Sequence, residues 1–208
     1  MQIESKIRRA ERELIKLDSK LGELIKLQQP LLHKPRTNYF HSLIRSIVGQ
    51  QVSVAAAATI FGRLEAATDI DPAKVAKLSE EQIKAVGLSR QKAGYIKDLA
   101  QHFVDNPEVY NHLGQLSDEE VIKDLTAVKG IGVWTAQMFL MFTLVRLDVF
   151  APDDIGLQRA MKHLYSWKTV PNRDKLEKVA DKWRPYRTVA CWHLWQSLHP
   201  AQSLDTPK

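Results

Sequence analysis

Apolar residues recur along most of this 208-residue chain at intervals of three and four, with charged residues between them. That is the period of an amphipathic α-helix. Ile3, Ile7, Ala10, Leu14, Leu17, Leu21 and Leu24 predict one long N-terminal helix. Gln28-Gln29-Pro30 ends it, because proline disfavours helical backbone in the residue before it. Asn38 is placed to cap a helix that carries Leu43, Ile44, Ile47 and Val48 and stops near Gly49. Ser53 is placed to cap an alanine-rich helix over 54–64, where Ala55 to Ala58 are small enough to admit a second backbone.

Two capping boxes punctuate the middle of the chain. Ser79-Glu80-Glu81-Gln82 opens a helix that Gly87 closes, and Ser117-Asp118-Glu119-Glu120 opens one that Gly130 closes. Between them Ser89 caps a helix carrying Ala93, Ile96, Leu99 and Phe103. The apolar segment 133–145 predicts a central buried helix. Asp153 or Asp154 caps one through Leu164, and Asn172 caps another that breaks at Arg184-Pro185. A last helix holds Val189, Ala190, Trp192, Leu194 and Trp195, and the polar tail over 200–208 is expected to be flexible. Residues 147–151 could be extended, but one short run makes no sheet. The pattern predicts an all-α protein.

Composition narrows the function classes. Hydrophobic residues at 44% and charged residues at 26% are ordinary for a globular protein. No apolar run approaches the ~20 residues of a membrane span, and the charged N-terminus does not resemble a signal peptide. The single cysteine, Cys191, excludes an internal disulfide, a Cys-rich zinc site and a four-cysteine iron–sulfur cluster, and fits the cytoplasm. It reads as buried filler amid Val189, Ala190 and Trp192. The seven histidines show no ligand-like spacing paired with cysteine. A net charge of +6 favours a polyanionic partner without requiring one.

The sharpest motif is Leu125-Thr126-Ala127-Val128-Lys129-Gly130-Ile131-Gly132-Val133-Trp134-Thr135-Ala136. A capped helix enters a Gly-x-Gly turn and a second helix begins at once. The glycines permit positive φ and close approach of another backbone. The new helix opens with unpaired N–H groups at the positive end of its dipole, which suits a phosphate oxygen. Contacts from main-chain groups alone read no base sequence. The two glycines by themselves fit a plain helical hairpin equally well. The whole string in a basic chain favours DNA.

Leu-x-x-Val-x-Gly-Ile-Gly-x-x-Thr-Ala resembles the helix–hairpin–helix of the base-excision DNA glycosylases, a superfamily in which a Gly/Pro-rich stretch and an aspartate follow the hairpin. Val149-Phe150-Ala151-Pro152-Asp153-Asp154 resembles that stretch, and Ile47-Val48-Gly49-Gln50-Gln51-Val52-Ser53 resembles the family's upstream element. Trp183-Arg184-Pro185-Tyr186-Arg187 and His193-Leu194-Trp195 resemble the 3-methyladenine DNA glycosylase II branch. The likeness runs from about Phe40 to Trp195. Larger members of the branch add an N-terminal β-rich domain, where this chain has a helical lead.

The resemblance implies a two-lobed, all-α glycosylase fold over 1–208, with the helix–hairpin–helix at about 118–145 and the active site in the inter-lobe cleft. It implies a monomer acting on damaged duplex DNA and excising alkylated purines to leave an abasic site. Asp154 matches the catalytic aspartate and Asp153 a neighbour near a phosphate-bound cation or solvent. Local sequence makes Asp154 a helix cap, and the two roles are compatible. Trp134, Met138, Ile155 and Trp195 match positions lining the base pocket; two of them, Met138 and Ile155, stand where the branch can carry tyrosine. Trp167, Trp183 and Trp192 read as packing residues. Gln51 matches the residue that fills the gap left by a flipped base, although by local sequence it is an ordinary loop residue. Lys129, Gly130, Ile131, Gly132 and Thr135 match DNA-backbone contacts. Arg90 and Lys92 are basic residues that fit either phosphates or a solvated face. Carbonyls of Thr126, Val128 and Ile131 match ligands of a structural sodium or potassium ion, with Lys129 standing where proline is common. No cofactor is required for the chemistry. Two alternatives stay open: a bifunctional glycosylase/lyase, whose family lysine would stand where this chain has Trp134, and a non-enzymatic DNA-binding module.

Overall fold

The computed structural model describes residues 2–198, and every regular element among them is helical. In chain order the α-helices are α1 (Gln2–Leu17), α2 (Ser19–Leu27), α3 (Tyr39–Gly49), α4 (Val54–Thr68), α5 (Pro72–Ala76), α6 (Glu80–Val86), α7 (Arg90–Asp105), α8 (Pro107–Tyr110), α9 (Asp118–Thr126), α10 (Val133–Phe142), α11 (Ile155–Leu164), α12 (Arg173–Ala180) and α13 (Arg187–Leu198). The chain divides into two compact units. One comprises the residues up to Pro35 and those from Leu140 on; the other is Arg36–Phe139. None of the described helices is long and apolar enough to cross a membrane. The expected flexible tail over 200–208 lies outside the described residues.

The first unit is built around α13. Thr188, Val189, Ala190, Cys191, Trp192, His193 and Leu194 are all buried on it. Helices α1, α2 and α11 pack against it. The predicted single N-terminal helix is two helices. Asp18 leaves helical backbone at φ −144°, and its Oδ1 accepts the Leu21 N–H at 3.2 Å. The apolar spacing runs on across this break, with Leu14, Leu21 and Ile25 all buried, so periodicity alone does not reveal it. Oδ2 of Asp18 accepts the Trp183 indole N–H at 3.1 Å and the Tyr165 hydroxyl. One carboxylate thus caps α2 and ties it to two aromatic side chains far along the chain. A second tie is the His193 ring, which meets the Gln28 amide oxygen at 2.6 Å and the Glu11 carboxylate at 3.3 Å. Residues 147–151 are irregular rather than a strand. They run beside the start of α13, where the Thr188 N–H donates to the Leu147 carbonyl at 3.0 Å and the Thr188 hydroxyl accepts the Val149 N–H at 2.9 Å.

The second unit is organised by α7, whose buried Ile96, Leu99, Ala100 and Phe103 face α3 and α5. Both capping boxes form, at Ser79 with Gln82 and at Ser117 with Glu120. Asn38, Ser53 and Ser89 cap their helices as the sequence predicts. Three expectations need correction. The alanine run of α4 does not serve close helix packing, because Ala55 and Ala58 are exposed and the helix buries only Leu64 and Thr68. Helix α9 ends at Thr126, leaving a turn that includes Gly130. Helix α10 ends at Phe142, and its first turn is open, with Val133 52% and Trp134 38% exposed. The rest of α10 is largely buried, as the pattern predicts, and α13 is buried over Thr188–Leu194.

Burial alone would raise the Asp18 pKa, but hydrogen bonds from Tyr165, the Leu21 N–H and Trp183 outweigh it and hold the carboxyl below its usual range. A carboxylate depressed in the folded state contributes stability above its unfolded pKa of roughly 3.9 and loses that contribution as pH falls further. Asp18→Ala removes a cap and strands the donors of buried Trp183 and half-buried Tyr165, for a loss of about 2–3 kcal/mol at neutral pH. In urea unfolding the gap between wild type and variant should narrow at pH 3. A gap of equal size at pH 7 and pH 3 would contradict this assignment.

Candidate active site

In the first unit, the turn after Ala151 delivers two adjacent carboxylates to opposite surroundings. The Asp154 N–H donates to the Ala151 carbonyl at 3.1 Å, and the Gln158 side chain donates to the Pro152 carbonyl at 2.9 Å. Asp153 points to the surface and pairs with Arg173 at 3.1 Å. Asp154 turns inward as the N-cap of α11. Its Oδ1 accepts the Leu157 N–H at 2.7 Å and the Trp195 indole N–H at 2.9 Å. Two donors on one oxygen fix the plane of the carboxylate, at the positive end of a helix dipole.

Trp195 is itself held. Its ring lies 5.5 Å from that of Phe142, which also contacts Trp192, and the His33 ring lies 4.0 Å from Trp192. Trp192 is fully buried, as is Trp183, in keeping with packing roles. Trp167 stacks on Tyr165 at 4.9 Å, beneath the Lys175 ammonium. Gly156 explains how Trp195 comes so near. A Cβ there would stand 3.0 Å from Asp154 Oδ1 and 3.2 Å from Trp195 Nε1, wedged beside the hydrogen bond. Cys191 is fully buried, and burial together with the nearby Asp154 charge pushes its thiol pKa up, away from nucleophilic character. Ile155, the first residue of α11, is 62% exposed.

In the second unit, the turn between α9 and α10 is anchored from below by the buried side chains of Leu125, Val128 and Ile131. Gly130 has φ +82°, and a Cβ would lie 2.2 Å from the Tyr95 ring, so glycine is required twice over. The close neighbour is thus an aromatic ring and not a backbone. Gly132 differs: its φ is not positive, and a Cβ there would meet nothing within 4 Å. Gly132 precedes α10 and its carbonyl accepts the Ala136 N–H at 3.0 Å, so the helix starts without a capping side chain from that position. Thr135 and Met138 are buried on α10, while Trp134 is partly exposed.

Helix α7 braces this turn. The Asp98 carboxylate accepts the Lys129 main-chain N–H at 2.9 Å and pairs with the Lys129 ammonium at 3.2 Å. The ammonium end is largely exposed, so the ion pair is weak. Gln51 lies exposed in the loop between α3 and α4 at φ +55°, a left-handed conformation that costs a non-glycine residue about 1–2 kcal/mol. Arg90 is exposed at the start of α7. Lys92 turns away from solvent. Its ammonium donates to the Val48 carbonyl at 2.8 Å and also to the Gln50 carbonyl, and burial lowers its pKa. The sequence reading missed Gln50, Tyr95, Asp98 and Gly156. Gln50 carried a signal as part of the Ile47–Ser53 motif, and Gly156 as a glycine placed in the first turn of a helix at a cost of about 1 kcal/mol against alanine.

Among the described residues no group of three or more His, Cys, Asp or Glu side chains is placed to hold a metal ion.

Comparison with known proteins identifies the family of this fold. An alkylbase DNA glycosidase-like protein of Schizosaccharomyces pombe is 30% identical over 205 residues, covering 94% of this chain and 96% of that protein. The crystal structure of a Bacillus halodurans DNA-3-methyladenine glycosidase is 38% identical and superposes with a TM-score of 0.78, over 89% of this chain and 87% of that one. The S. pombe 3-methyladenine DNA glycosylase in complex with abasic DNA is 29% identical with a TM-score of 0.77, over 96% of this chain and all of that one. Residues 44–185 match the family model for the HhH-GPD superfamily base excision DNA repair proteins, and this chain belongs to that superfamily.

Proposed function

We propose that this protein is a monofunctional DNA glycosylase that flips alkylated purines of the 3-methyladenine and 7-methylguanine type out of duplex DNA and hydrolyses their N-glycosidic bond. The carrying observation is Asp154, a single carboxylate fixed by the Leu157 N–H and the Trp195 indole in a chain of this superfamily. One carboxylate suffices for such substrates. Glycoside hydrolases ordinarily use two because the departing oxygen must be protonated. An N3- or N7-alkylated purine already carries positive charge and leaves as a neutral molecule. What remains is an oxocarbenium-like sugar, which a rigid anion stabilises electrostatically. The same carboxylate orients or deprotonates the attacking water. Asp153, engaged with Arg173 at the surface, takes no part.

The hairpin is read as the phosphate clamp. Main-chain N–H groups at Gly130, Gly132 and Thr135 are the proposed donors, the Ile131 N–H being given within the turn to the Val128 carbonyl, and the open space at Gly132 admits a phosphate close to the backbone. Carbonyls of Thr126, Val128 and Ile131 offer hard oxygen ligands of the kind a sodium or potassium ion takes. The Val128 carbonyl accepts the Ile131 N–H at 3.1 Å and keeps a second lone pair for such an ion, which would add positive charge beneath the phosphate. Arg90 and Lys129 supply further phosphate contacts. Gln51 is read as the side chain that fills the gap of the flipped nucleotide, and its strained backbone is in keeping with a functional position. The exposed face of Trp134 attracts a cationic base more than a neutral one. Trp134 also stands where a lyase of this superfamily carries its lysine, so water is the nucleophile. We read the protein as acting as a monomer.

Asp154→Asn keeps an oxygen for the Leu157 N–H and the Trp195 indole, so the fold should hold within about 1 kcal/mol. Release of free methylated purine from methylated duplex should fall by about a hundredfold or more, while affinity for the duplex survives. Near-wild-type release by this variant, or loss in Asp153→Asn instead, would remove Asp154 from the reaction.

Trp195→Phe keeps the ring against Phe142 and loses only the N–H. We expect kcat to drop about tenfold, the worth of one hydrogen bond to a charged group, with KM within about twofold. Gly156→Ala should give the same split by pushing the indole off Oδ1. A rise in KM at constant kcat would assign Trp195 to base binding alone.

A further inference from the structure

Gln50 immediately precedes the exposed Gln51 and behaves differently. Its side-chain Nε2 donates to the Gly130 carbonyl at 3.1 Å, across 80 residues of sequence. Its own carbonyl accepts the Lys92 ammonium, which also holds the Val48 carbonyl at 2.8 Å. A cap for the end of α3 would need only the Val48 contact, since the last carbonyls of a helix lack partners within it. The additional bonds do something else. They fasten the loop carrying Gln51 at two points, to α7 through Lys92 and to the hairpin through Gln50. Gly130 is in turn seated on the Tyr95 ring of the same α7 helix, and Asp98, three residues further on, holds the Lys129 N–H. The loop and the hairpin therefore share one foundation.

We propose that Gln50, backed by Lys92, is a positioning residue. It sets the spacing between the loop that enters the duplex and the hairpin that grips the phosphate, so that Gln51 meets the gap in register with the held strand. This rests on the reading of Gln51 and the hairpin given above. The physical need is plain. A left-handed residue relaxes unless its neighbours over-determine it. The Gln50 side chain and main chain supply that constraint on the N-terminal side of Gln51. Release of the Gln50 amide from Gly130 lets the φ of Gln51 return to ordinary values and swings its side chain away.

The test uses fluorescence anisotropy with two duplexes, one containing a tetrahydrofuran abasic-site analogue and one undamaged. Gln51→Ala should weaken binding to the abasic duplex about tenfold, and Gln50→Leu about fivefold, the worth of one hydrogen bond. Both should bind the undamaged duplex within about twofold of wild type. In the double variant, Gln50→Leu should cost nothing beyond Gln51→Ala, because it acts only through that residue. Lys92→Met should repeat the Gln50→Leu pattern, which guards against a folding defect peculiar to one variant. Wild-type binding by Gln50→Leu, an undiminished additive cost in the double variant, or an equal loss on both duplexes would overturn the proposal while leaving Gln51 in place. Wild-type binding by Gln51→Ala would instead remove the intercalation reading, and the positioning role with it.

Discussion

Everything in the first unit converges on one oxygen. Oδ1 of Asp154 accepts both the Leu157 N–H and the Trp195 indole N–H. The first bond starts a helix, and the second fixes the carboxylate plane. A Cβ at position 156 would crowd the second bond, lying 3.0 Å from Oδ1 and 3.2 Å from the indole nitrogen. Trp195 in turn depends on α13, which is buried by α1, α2 and α11 and locked by the His193, Gln28 and Glu11 side chains. A catalytic carboxylate on a loop would wander. Here the helix cap and the half-buried indole hold it in place, as the proposed electrostatic stabilisation of a developing cation requires.

In the proposed function the second unit has a different task, holding a polyanion without reading its sequence. Its devices are main-chain groups at a glycine turn, seated on an aromatic ring and tied by a carboxylate from α7. The strain it stores at Gln51 is balanced by hydrogen bonds to the residue before it. Lys92 is spent on carbonyls of its own chain, and Lys129 is paired with Asp98.

The helical fold was legible because its start signals are local. Asn38, Ser53, Ser79, Ser89, Ser117, Asp154 and Asn172 each cap the helix that the pattern assigns to them. The failures came where a local rule has no access to tertiary packing. The break at Asp18 lies inside an unbroken apolar period, and the short α5 and α8 are too brief to show one. Segment 133–145 read as buried because it is apolar, yet its first turn is open. At the site, Asp154 was readable as a cap, but its indole partner lies 41 residues away and the Gln50–Gly130 bond spans 80. No periodicity encodes such pairs. Glycine at 156 was visible in the sequence, and only the position of the Trp195 ring gives it a reason.

Water, rather than an amine of the protein, is the proposed nucleophile at the sugar beside Asp154. Incubation with methylated duplex in the presence of borohydride tests this directly, by following free base, strand length and protein mass together. With water as nucleophile, methylated purine is released, strands break only after alkali or heat, and no covalent complex is trapped. A borohydride-trapped adduct on any lysine, with strand scission keeping pace with base release, would contradict it.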